Sequence, residues 1–65
     1  MYYVMKKSSV FTDVVYKDKS FKKAKEELNN ITCNGKRIYD RHIRYYVVML
    51  KGRRELKNYL IANNP

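Results

Sequence analysis

The sequence predicts a small α+β domain: an antiparallel sheet of three to four strands packed on one helix, with a short C-terminal helix, in the order β-β-α-β-α. Three observations carry this expectation. Runs of aromatic and β-branched residues recur at 2–5, 10–16 and 45–50, the composition that suits a pleated, half-buried surface. Phe21, Ala24, Leu28 and Ile31 recur at spacings of three, four and three, which is one stripe of a helix. The 65 residues contain no Pro- or Gly-rich linker, so residues 1–65 read as one small basic domain.

Residues 2–5, Tyr-Tyr-Val-Met, form the first strand, and Ser8-Ser9 interrupts it. The second runs from 10 to 16, with Val10, Thr12, Val14 and Tyr16 on one face by simple alternation. A hairpin across 7–9 joins them without an Asn-Gly or Gly-Gly turn. A helix follows at about 20–30. Either Asp18 or Ser20 serves as its N-cap by accepting a backbone N–H. Lys22 faces Glu26 and Lys23 faces Glu27 four residues on, so the outer side is solvated and internally paired. Asn29-Asn30 is the expected stop.

Asn34-Gly35 is the clearest turn signal in the chain, because both residues tolerate positive φ. The stretch 36–50 after it ends in Tyr-Tyr-Val-Val-Met-Leu, which favours a strand over a helix through its run of aromatic and β-branched residues. Six successive apolar positions require cover on both faces. One is met by the helix, and the other needs a second helix or a second chain. Lys51-Gly52 ends this strand, and 53–62 reads as the C-terminal helix, with Leu56, Tyr59 and Leu60 on its apolar side.

Charge bounds the function. Fifteen Lys and Arg face six Asp and Glu, a formal +9, interleaved with seven Tyr and two Phe. The excess is +3 over residues 1–32 and +6 over 33–65, and all five Arg lie in the second half. Arg grips phosphate or carboxylate through a planar fork, whereas Lys supplies a point charge. The candidate contacts are Arg37, Arg41, Arg44, Lys51, Arg53, Arg54 and Lys57. Arg53 and Lys57 stand four apart on a helix and repel one another unless an anion lies between them.

The expected function is therefore that of a small non-enzymatic binding protein that contacts nucleic acid through its phosphate backbone. The alternative is an accessory or inhibitor protein, of the kind phages encode, that docks on an acidic host protein. Tyr and Arg are enriched at the hot spots of protein interfaces.

Catalysis has little to stand on. Asp40 and His42 share a strand face, yet no nucleophile is evident beside them, and the Gly-Ser-His run of one common type of small ribonuclease toxin is missing. One Cys and one His, Cys33 and His42, cannot supply four zinc ligands or an internal disulfide. With Gly35 and Gly52 as the only glycines, no phosphate-binding loop is present, and no cofactor is expected. A chain this short buries only about 60% of its unfolded surface, so a homodimer or an obligatory partner is the expected stabiliser. No apolar run reaches the roughly 18 residues of a membrane span, and a lone thiol fits a reducing compartment. The expected location is the cytoplasm.

Overall fold

A computed structural model describes residues 1–32 and 43–63. The elements are β1 (Tyr2–Lys7), β2 (Thr12–Asp18), α1 (Phe21–Thr32), β3 (Arg44–Met49) and α2 (Arg53–Asn63). The α+β class and the β-β-α-β-α order follow the sequence. The strands form one antiparallel sheet in the order β2-β1-β3, so the first strand is the central one.

The hairpin differs from simple alternation in two ways, each with a local cause. Its connection is residues 8–11, one step later than the composition suggested. Ser8 closes it: the Ser8 N–H donates to the Phe11 carbonyl at 2.8 Å. The Ser8 Oγ in turn accepts the N–H groups of Val10 and Phe11 at 3.2 and 3.1 Å. A side chain thus does the work of a Gly-containing turn. Lys6 lies 5.6 Å over the Phe11 ring and adds a cation–π contact.

The second difference is a bulge. Val4 pairs with Tyr16 and Met5 with Val14, which leaves Val15 as the extra residue of β2. Val14 therefore shares the face of Met5, and Tyr16 shares the face of Val4. The face expected to hold Val10, Thr12, Val14 and Tyr16 together is thus divided, with Val14 and Tyr16 on opposite sides of the sheet.

Both sides are covered. On the face of Tyr2 and Val4 lies α1, whose Phe21 ring meets the Tyr2 ring edge-on at 5.3 Å. Ala24 is fully buried against the sheet, and its missing bulk lets the helix approach closely. Ser20 caps α1. Its carbonyl accepts the Ala24 N–H at 3.1 Å and its Oγ accepts the Lys23 N–H at 3.4 Å. Asp18 sets the preceding turn by accepting the Ser20 N–H at 2.8 Å. That bond, seconded by the Tyr16 hydroxyl at 3.1 Å, holds the Asp18 carboxyl below its usual range. The helix continues past Asn29-Asn30 to Thr32, whose hydroxyl donates to the Leu28 carbonyl at 2.8 Å.

The opposite face carries Tyr3, Met5 and, from β3, Tyr46, the partner of Met5. There α2 lies nearest β2, with none of its own residues fully buried. Its Tyr59 hydroxyl donates to the Tyr46 hydroxyl at 2.7 Å, with the rings 6.5 Å apart. Burial, then this bond, pushes the Tyr46 phenol above its ordinary range. The Cα envelope of 33 × 29 × 11 Å fits a stack of helix, sheet and helix that is only three strands wide.

Among the described residues the buried apolar core is Tyr3, Val4, Met5 and Ala24. Three of these are consecutive residues of β1, possible only for a strand sandwiched between two layers. The Tyr46–Tyr59 bond is a polar link between sheet and α2. Tyr59→Phe is expected to cost about 1 kcal/mol, a fall of about 4–8 °C in a thermal melt for a domain this small.

Candidate partner-binding site

A groove of about 670 Å³ lies between β2 and the start of α2. It is lined by Met1, Tyr3, Val14, Val15, Tyr16, Lys17, Lys51, Gly52, Arg53 and Leu56. Tyr3 is buried and Val14 and Leu56 are half-buried, and these form an apolar floor. Lys17, Lys51 and Arg53 are exposed and form the rim. No Asp or Glu belongs to the lining.

Local chemistry explains how the rim is held. Leu50 donates its N–H to the Met1 carbonyl at 3.1 Å, which fixes the exit of β3 beside the start of β1. Helix α2 then opens at once: the Leu56 N–H bonds the Gly52 carbonyl at 3.0 Å. Glu55 reaches back so that its Oε2 accepts the Lys51 N–H at 2.7 Å, one residue before the helix cap at Gly52. The nearest acids in sequence are thus engaged within the chain, Glu55 by Lys51 and Asp18 by Ser20 and Tyr16. The three rim cations are exposed.

The structure sorts the candidate contacts into three groups. Lys51 and Arg53 line the groove, and Arg54 and Lys57 lie exposed on the same helix. Arg44 does not join them. It opens β3, opposite Lys7, about 17 Å along the strand from Met49 at the other end. There it forms a like-charge cross-strand pair that costs stability on its own. Arg37 and Arg41 lie outside the described residues, as do Cys33, Asn34, Gly35, Asp40 and His42.

Lys17 is the rim residue that the sequence reading did not single out. Its signal was present: an exposed Lys on an alternating strand next to a helix cap. Its proximity to Arg53 arises only when α2 folds back across the sheet. Lys7 was likewise invisible until the register placed it beside Arg44.

Among the described residues no group of three or more His, Cys, Asp and Glu is placed to hold a metal ion, and no helix is long and apolar enough to cross a membrane. Comparison of the chain with models of known protein families, with curated proteins and with solved structures returned no match.

Proposed function

We propose that the protein is a non-enzymatic binding protein that docks on an acidic partner protein through the groove between β2 and α2. One observation carries this reading. A single groove combines an apolar floor (Tyr3, Val14, Leu56) with a rim of Lys17, Lys51 and Arg53 and no carboxylate in its lining. A protein partner uses both halves, burying apolar side chains at the centre and pairing charges around them.

Nucleic acid is the second reading, and a different observation favours it. Arg54 and Lys57 are exposed on α2 beside the rim, so four cations gather within two turns around the helix start. Phosphate contacts need such cations and make no use of an apolar floor. The separation of Arg44 from this cluster shortens any continuous track. The same reading carries two further proposals. A small core of four buried apolar residues among those described supports a homodimer, and a lone thiol supports a cytoplasmic location.

The two partner classes separate in one capture experiment. The immobilised protein is expected to retain a polypeptide from nuclease-treated lysate, and a variant with Lys51→Glu and Arg53→Glu is expected to lose it. Disappearance of every partner on nuclease treatment, together with salt-dependent binding of oligonucleotides, would give the groove to nucleic acid instead.

A further inference from the structure

We propose that β2 is an open docking edge that takes an extended acidic segment of the partner as a fourth strand, with the carboxylates of that segment on Lys17, Lys51 and Arg53. This inference rests on the acidic-protein reading and specifies its mode. The geometry starts from which residues of β2 line the groove. They are Val14, Val15, Tyr16 and Lys17, four in succession. Val14 and Lys17 lie on the face of Tyr3 and Met5, and the bulge at Val15 suspends the alternation between them, so the groove reaches from β1 across β2.

The outer margin of β2 is open among the described residues, where β2 pairs with β1 alone in the order β2-β1-β3. An outer margin of this kind presents backbone N–H and C=O groups ready for another strand. The bulge at Val15 lies in the middle of the groove-lining stretch, and bulges re-aim backbone and side chains at such margins. Val15 itself is 42% exposed, an apolar contact for an incoming strand.

Charge selects the occupant. The groove side of this margin carries Lys17, with Lys51 and Arg53 across the cleft. Pairing β2 with β2 of a second copy would bring two such rims together and is disfavoured. A strand with acidic residues at alternate positions gains the charge pairs, and its apolar residues meet Val14 and Leu56. Four residues of β2 correspond to about 13 Å of extended chain, so the segment needed is short.

The test uses an acetylated, fluorescent heptapeptide alternating Glu and Val, read by anisotropy at low salt. Three probes accompany it: the same peptide methylated at every interior backbone nitrogen, its Lys–Val counterpart, and a single-stranded oligonucleotide. Methylation keeps charge and apolar side chains but removes the donors that strand pairing needs. The acidic peptide is expected to bind, to slow amide hydrogen exchange at residues 14–17, and to lose at least about tenfold in affinity on methylation, while the Lys peptide does not bind. Equal binding of the methylated and unmethylated acidic peptides would overturn the strand mode and leave the acidic-partner reading standing. Binding of the oligonucleotide with no binding of either acidic peptide would overturn both.

Discussion

Replacing Met5 by Ala is expected to lower the stability of the protein by about 2–5 kcal/mol, the range for deleting most of a fully buried side chain. Met5 has no exposed surface. It lies on the central strand, paired with Val14 on one side and Tyr46 on the other, on the face that α2 covers. Truncation there leaves a void bounded by three strands and a helix. Its neighbours are tied by the β1–β2 ladder and by the Tyr46–Tyr59 bond, so the site cannot collapse freely. A domain of this length has about 3–10 kcal/mol of stability in total. The substitution therefore removes a large share of it, and the midpoint of a thermal melt followed by circular dichroism falls by about 10–30 °C. Met5→Leu, which nearly conserves volume, stays within about 1.5 kcal/mol. Met49→Ala, at a side chain 57% exposed, costs less than about 1 kcal/mol. A melt of Met5→Ala no lower than that of Met49→Ala would remove β1 from the centre of the core.

The same strand shows how much of the molecule was legible beforehand. The composition at 2–5 and 45–50 was enough for strands, and the cap and stripe around Ser20 and Ala24 were enough for α1. The apolar run at the end of β3 raised the expectation of two covered faces, yet none of its six residues is buried, Met49 is exposed, and α2 reaches the strand through the Tyr46–Tyr59 bond. What escaped is what depends on one residue more or less. The extra Val15 in β2 sends Val14 and Tyr16 to opposite faces, and no propensity marks that position. The Ser8 side chain closes a turn that lacks any glycine.

The candidate contacts divide along similar lines. Lys51, Arg53, Arg54 and Lys57 belong to one local stretch, and the start of a helix keeps them together. Arg44 stands in the same set of candidate contacts, but as the first residue of β3 it lies at the far end of the sheet from them. Lys17 joins the rim through tertiary packing alone. Sequence reveals a basic segment readily. A basic site needs the fold.

Reversing the rim, with Lys17→Glu, Lys51→Glu and Arg53→Glu in one chain, is expected to weaken partner binding by at least about thirtyfold at low salt, since each exposed charge pair contributes modestly and each reversal replaces attraction with repulsion. The formal charge falls from +9 to +3, so bulk electrostatics alone predicts some loss. A matched control decides between site and bulk. Lys19→Glu, Lys22→Glu and Lys25→Glu make the same six-unit change at exposed positions in and just before α1, on the other side of the sheet from the groove. One of them costs a few tenths of a kcal/mol by facing Glu26 four residues on. If the groove is the site, the control loses only a few-fold and the rim variant loses at least about thirtyfold. Raising the salt narrows that gap, because exposed charges are screened within about a Debye length. Equal losses in the two variants would return the charge to a general field around the molecule and leave the groove without a role. The rim residues are exposed, so the fold tolerates their reversal, and melts of the two variants are expected to agree within a few degrees.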